Sequence, residues 1–187
     1  MDSLLIITGT MGAGKSAMLA EASDLLGQRR IAHAAIDLDA LGLGWLPSGE
    51  KNNRVMYRNL ESVCKNYEAE GVRRVLLGRA LETREEVELC RSAVSAREVV
   101  VCRLVASIET MEQRVAKRET GILREQFIAR VAELDRILDG ARLEDFAVRN
   151  ENRSLTEVAR EVLVKARWVS PVNQDCKTQH DKKKCPR

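Results

Sequence analysis

The sequence predicts an α/β fold in which one parallel sheet is covered by helices on both faces. Three observations carry this expectation. Short aliphatic runs alternate with stretches of helical periodicity, and each intervening stretch is long enough for a crossover between parallel strands. Hydrophobic residues make up 44% of the 187 positions while aromatics make up only 3%, as expected where aliphatic strands are buried on both faces. Finally, Gly9-Thr10-Met11-Gly12-Ala13-Gly14-Lys15-Ser16 fits the pattern G-x-x-x-x-G-K-S between a predicted strand and a predicted helix.

Taken in order, Leu4–Thr8 is the first strand, stopping at Gly9, and Lys15–Leu26 the first helix, with Gly27 as its left-handed stop. A second strand fits Ile31–Ile36, with His33 inside it; Asp37-Leu38-Asp39 and a loop holding Gly42, Gly44, Pro47 and Gly49 follow. Residues 52–70 read as a helix through Val55, Leu60, Val63 and Tyr67, ended by Gly71, and Arg74–Leu77 as the third strand. Thr83 and Glu86 have the spacing of a capping box for a helix reaching about Ser95. Val99–Val105 is the strongest strand signal, Ser107 caps the next helix to about Glu119, and Gly121 breaks it. A helix over Leu123–Leu138, a short strand at Phe146–Val148 and a helix from Ser154 and Glu157 to about Trp168 complete the pattern.

The chain reads as one domain, 1–170, followed by a basic, disordered tail, 171–187. The formal charge is +3, and residues 172–187 hold five Lys or Arg against two Asp, so the body is neutral and its charge does not imply a nucleic-acid partner. No apolar run is long enough to span a membrane and no signal peptide is apparent, which makes a cytoplasmic protein without a membrane partner the expectation. Cys64, Cys90 and Cys102 read as reduced structural thiols. Cys176, His180 and Cys185 are three loosely spaced zinc-type ligands in the tail, a thin basis for a metal site.

The glycine-rich segment, residues 9–16, is the decisive chemical feature. Its glycines let successive N–H groups wrap around phosphates, and the positive end of the following helix adds to their pull. Lys15 would reach the β- and γ-phosphates of ATP, and Ser16 would ligate magnesium. Asp37 and Asp39, two residues apart, point the same way in an extended backbone and face the crevice at the carboxyl end of the sheet. There Asp37 could hold magnesium or take a proton from an attacking hydroxyl, or both could simply cap the loop. Arg114, Lys117 and Arg118 share one helix face. They are either a solvated basic face or, for Arg114 and Arg118, cations that close over a triphosphate. Arg54, Arg58 and Arg79 could each bind an anionic group of the acceptor, or each could be a surface residue.

Together these residues resemble the small P-loop kinases of the nucleoside-monophosphate-kinase-like group, among them shikimate, gluconate and adenylylsulfate kinases and chloramphenicol phosphotransferase. The resemblance covers roughly residues 3–168, and only the phosphate loop is highly specific. It implies the three-layer P-loop NTPase fold with a five-stranded parallel sheet in the order 2-3-1-4-5. It places Asp37 near magnesium, Asp39 near substrate, Arg114 and Arg118 in a lid, and Val148–Asn152, with Asn150, against adenine. Tyr57-Arg58-Asn59-Leu60-Glu61 is similar to the F-R-x-x-E stretch of shikimate kinases. Departures are the Leu77-Gly78-Arg79 end of strand three, where shikimate kinases have three glycines, the distance from Gly49-Glu50 to Tyr57, and the lack of a terminal aspartate on strand three.

The expectation is therefore a kinase moving the γ-phosphate of Mg-ATP to a hydroxyl of an unidentified small molecule. The alternatives are an ATPase or switch acting on a protein partner and, against the neutral body and scarce aromatics, a polynucleotide 5′-hydroxyl kinase.

Overall fold

The aliphatic run at the start of the chain forms β1 (Ser3–Thr8), and its alternating side chains divide the core in two. Leu5 and Ile7 point to one face, Leu4 and Ile6 to the other, and all four are fully buried. A computed structural model describes residues 1–171; the predicted tail from Val172 onward, with Cys176, His180 and Cys185, lies outside the described residues.

The chain runs β1, α1 (Lys15–Gln28), β2 (Ala34–Asp37), α2 (Gly49–Ala69), β3 (Arg74–Gly78), α3 (Arg84–Val94) and β4 (Glu98–Val105). It continues through α4 (Ile108–Arg118), α5 (Arg124–Ala141), β5 (Phe146–Arg149) and α6 (Leu155–Lys165). All strand pairs are parallel, in the order β2-β3-β1-β4-β5. Leu5 and Ile7 pack with Leu76, Cys102, Leu104 and Val148 against α1, α4, α5 and α6. Leu4 and Ile6 pack with Val75, Leu77 and Val101 against α2 and α3. This three-layer arrangement is the P-loop NTPase fold, and it puts every strand's carboxyl end on one edge.

Local signals explain most boundaries. Thr83 with Glu86, and Ser154 with Glu157, form complete capping boxes, and Ser107 accepts from the Thr110 N–H. Gly71, at φ 82°, ends α2 as expected.

Four expectations are corrected. Gly27 does not stop α1: the helix continues to Gln28 and ends in a Schellman turn with Arg30 at φ 55°. In that turn the Ile31 N–H donates to the Leu26 carbonyl at 3.0 Å and the Arg30 N–H to Gly27 at 2.9 Å. Ile31 is thereby spent on the helix end, so β2 begins only at Ala34 and His33 lies before it, its ring bonded to Ser23 Oγ at 2.8 Å. The segment after Asp37 is not a plain loop, because Asp39–Gly42 forms a 3-10 turn. The helix ending the fold stops at Lys165, where a second Schellman turn, with Arg167 at φ 59° and the Trp168 N–H donating to Leu163 at 2.9 Å, terminates it.

The cysteines Cys64, Cys90 and Cys102 are free thiols buried in the core. Burial pushes their pKa values up to about 11, 12 and 12 respectively, which keeps them protonated and unreactive.

Candidate functional site: a phosphate cradle at the carboxyl edge of the sheet

The turn from β1 to α1 is built from backbone that side chains would block. Gly9, Gly12 and Gly14 all have positive φ, at 142°, 79° and 96°. A Cβ on Gly9 would stand 2.7 Å from the Leu104 carbonyl oxygen, one on Gly12 would overlap the Met111 backbone, and one on Gly14 would overlap the Asn150 amide. The three glycines thus serve close approach to β4, α4 and the β5–α6 loop.

Helix α1 starts at this turn without a side-chain cap and without an acidic residue in its first turn, unlike α2, α3, α4 and α6, which Ser or Thr caps. Its first N–H groups and its positive dipole end face a cavity of about 330 Å³. Met11, Gly12, Gly14, Lys15, Ser16, Asp37, Asp39, Arg114 and Arg118 all line that cavity, so the structure brings together most residues singled out in the sequence. Thr10 and Ala13 are buried beneath it and contribute backbone, with Thr10 Oγ1 donating to the Val131 carbonyl of α5 at 3.4 Å.

Lys15 Nζ donates to the carbonyls of Gly9 at 2.8 Å and Thr10 at 3.2 Å. Burial lowers its pKa to about 8, against the opposing pull of Asp39 and Asp37, and the nearby Arg118 lowers it further. Ser16 Oγ donates to Asp37 Oδ2 at 2.6 Å. The two carboxylates reach the cavity by a route different from the extended backbone expected: Asp37 closes β2, Leu38 turns in the helical region at φ −67° with its side chain fully buried, and Asp39 opens the 3-10 turn.

Arg114 ties α4 to the glycine turn and to the β5–α6 loop, donating to the Gly12 carbonyl at 3.2 Å and the Asn150 carbonyl at 2.8 Å. Asn150 in turn donates through Nδ2 to the Ala13 carbonyl at 2.7 Å. Next to it Glu151, which the sequence did not single out, accepts from Ser107 and Thr110 at the start of α4 and from Arg149. Those hydrogen bonds, Ser107's first and Thr110's next, hold its carboxyl down to about 2. Arg118 is largely exposed and, among the described residues, is paired only with its neighbour Glu119 at 2.8 Å.

On the acceptor side the result is mixed. Arg79 is a largely buried hub that reaches Asp39 at 3.4 Å and Glu86 at 3.9 Å and lies 6.0 Å over the Tyr57 ring. The sequence marked Glu86 only as a helix cap, and its carboxylate does that work too, accepting from the Thr83 N–H at 3.3 Å and also from the Glu82 N–H at 2.7 Å. Arg58 does not line the cradle. It stands with Arg54, Tyr57, Glu86 and Leu89 in a separate depression of about 560 Å³ between α2 and α3. Strand β3 ends in Gly78 where some phosphate-loop proteins carry an aspartate, and a Cβ there would meet Leu19 Cδ1 at 2.5 Å, so the position is committed to the packing of α1.

No sequence-family model matches the chain, and no curated protein matches it in sequence. Solved structures do match in shape. A sugar kinase from Janibacter superposes with a TM-score of 0.64 at 14% identity, over 89% of this chain and 95% of that one. The shikimate kinase of Acinetobacter baumannii, in complex with shikimate, gives 0.59 at 17% identity, over 90% and 94% of the two chains. An APS kinase of Mycobacterium tuberculosis, in complex with AMPPNP and APS, gives 0.59 at 19% identity, over 89% and 98%. At these identities what is shared is the fold.

Proposed function

We propose that the protein is a phosphotransferase that uses Mg-ATP and passes the γ-phosphate to a hydroxyl of a small molecule. The observation that carries this reading is the convergence of Lys15, Ser16, Asp37, Asp39, Arg114 and Arg118 on one cavity at the uncapped start of α1. The kinases of the same fold support it.

The residues fit magnesium. Ser16 Oγ and Asp37 Oδ2 are two hard oxygen donors already 2.6 Å apart, and no cluster of three or more His, Cys, Asp or Glu stands among the described residues. A site with few protein ligands, completed by phosphate oxygens and water, is what magnesium favours. The ion would supply charge neutralisation at the β- and γ-phosphates. The loop N–H groups and Lys15 hold the phosphate chain, Arg114 and Asn150 border the nucleotide's far end, and Arg118 brings a further cation to the γ-phosphate. Asp39, held by Arg79 at 3.4 Å, is placed to orient the acceptor hydroxyl and accept its proton.

A second reading, an ATPase or switch acting on a protein partner, draws on Leu43 and Trp45, 87% and 83% exposed in the loop beyond the Asp39–Gly42 turn. Turnover of ATP with magnesium, alone and against sugar acids, shikimate, adenylylsulfate, nucleosides and hydroxylated antibiotics, separates the two. Stimulation by one compound, with its phosphorylated product seen by mass spectrometry, establishes the kinase; tight ATP binding that no compound accelerates favours the switch. Failure to bind ATP at all would refute both.

A further inference from the structure

The neutral charge of residues 1–171 conceals an uneven distribution. In a parallel sheet every strand also begins on one edge, here the edge opposite the phosphate cradle, and three connected depressions run along it. The first, about 680 Å³, is lined by Arg74, Lys165 and Arg167, with Phe146 and Trp168 among its walls. The second, about 350 Å³, shares Arg74 with the first and adds Arg73 and Arg97. The third, about 380 Å³, shares Arg97, takes in Arg142, and leaves the edge along α3, past Arg91 to Arg84 at the helix's start.

The groove presents eight cationic side chains against five acids. Four of those acids are already engaged: Asp2 with Arg97 at 3.9 Å, Glu88 with Arg91 at 3.5 Å, Glu144 with Arg103 at 3.9 Å, and Asp145 accepting from the Val101 N–H at 2.8 Å. Arg74, Arg84, Arg142 and Arg167 form no ion pair among the described residues.

Backbone strain points to the same edge. Arg142 (φ 46°) and Arg167 (φ 59°) end α5 and α6 in the left-handed conformation that glycine adopts without cost, and Arg30 (φ 55°) does so at the end of α1. At the ends of α2 and α3, by contrast, the left-handed positions are Gly71 and Ser95. A helix dipole accounts for a cation near a helix end, but not for placing it at the position where its own backbone is strained.

We propose that this amino-edge groove binds a single-stranded nucleic acid through its phosphates, at a site separate from the cradle and independent of the phosphotransferase reading. Seven of the eight cations are arginines, whose planar forks match phosphate oxygens. The concave shape suits a strand, whereas an anionic bilayer is met by an exposed amphipathic face with apolar side chains to insert.

The test is fluorescence anisotropy of the full chain with a labelled oligonucleotide of about 12 nucleotides, within the usual site sizes of strand binders, as a function of salt. Four unpaired arginines predict a log-log salt slope of about −3. Arg142→Gly with Arg167→Gly relieves the strain, so the melting temperature holds or rises while binding weakens about tenfold and the slope becomes shallower by about one. Arg84→Glu, at an exposed position, weakens binding without a glycine in the backbone. Unchanged affinity and slope in both variants would overturn the proposal. So would binding that depends only on Lys182, Lys183 and Lys184, or groove-dependent binding to phosphatidylserine vesicles with none to the oligonucleotide.

Discussion

Replacing Lys15 with methionine should abolish phosphoryl transfer and at the same time make the protein more stable at neutral pH. The fold lowers the lysine's pKa from 10.5 to about 8, mainly by burial, which corresponds to about 3 kcal/mol of unfavourable free energy for the charged form. Methionine removes that term and keeps most of the apolar stem. Against it stand the lost hydrogen bonds to the Gly9 and Thr10 carbonyls, at 2.8 and 3.2 Å, worth about 1 kcal/mol each. The net gain is about 1 kcal/mol, a rise in melting temperature of about 2–4 °C for a chain of this size. The pH dependence gives the mechanism a signature. Because the folded pKa lies below the unfolded one, the unfolded chain holds more protons between pH 8 and 10.5, so wild-type stability rises across that window. The variant's advantage is therefore complete below pH 8, vanishes within about one pH unit above it, and is reversed by pH 10.5, where wild type is the more stable by about 2 kcal/mol. In turnover, kcat/KM for ATP falls as pH rises through about 8, where free Lys15 loses its proton. Thermal melts of both proteins from pH 7 upward check the claim. A variant that melts lower than wild type at pH 7, or a difference independent of pH, would refute the reasoning.

Other residues have more specific readouts. Asp37→Asn keeps a partner for Ser16 but removes the charge, and should weaken the apparent magnesium affinity about tenfold or more while ATP affinity measured without metal is unchanged; a magnesium titration of turnover decides it. Asn150→Ala leaves the Ala13 carbonyl without its 2.7 Å donor, so stability should fall by about 1–3 kcal/mol in denaturant unfolding, with weaker ATP binding by calorimetry. Arg103→Met should cost about 3 kcal/mol, because it strands the half-buried Asp135, bonded to Arg103 at 2.8 Å, and also frees the exposed Asp139 at 2.6 Å. The loss should shrink when Asp135 is changed to Asn in the same chain.

The alternation of strands and helices and the caps were legible because each rests on local chemistry, whereas the sheet order came only from the resemblance to the small P-loop kinases. Alternating aliphatic side chains in β1, a threonine or serine three residues before a glutamate, and a glycine past the end of α2 each have one favourable backbone answer. The errors fall where two helix ends used arginine in a conformation that sequence rules reserve for glycine. Gly27 looked like the stop for α1, but Arg30 took the left-handed position because Ile31, one residue on, has apolar core to pack against. The short β2 follows from that choice, as does the displacement of His33 from the sheet.

The candidate site divides along a similar line. Its glycine-rich half was readable because it is built from backbone, and backbone that approaches β4 and α4 this closely has to be glycine at fixed intervals. Its acceptor half is made of side chains from separate elements, and nothing in the sequence relates Asp39, Tyr57, Arg79 and Glu86 until β2 and β3 lie side by side, with Asp37 opposite Gly78. That register brings Arg79 within reach of Asp39 and Glu86 at once. Arg58, which resembled a substrate ligand by its neighbours in sequence, stands in the depression between α2 and α3, whose lining it shares with Tyr57 and Glu86. On the proposed phosphotransferase reading, the choice of acceptor would fall to Arg79 and the carboxylates it can release: an anionic acceptor would replace Asp39 on the guanidinium and free that carboxylate for the hydroxyl, whereas a neutral one would leave the pair closed. Arg79→Lys, which keeps the charge but loses the fork that spans both carboxylates, should raise the acceptor KM far more than the ATP KM, and an equal rise in both would move Arg79 from acceptor recognition to support of the cradle.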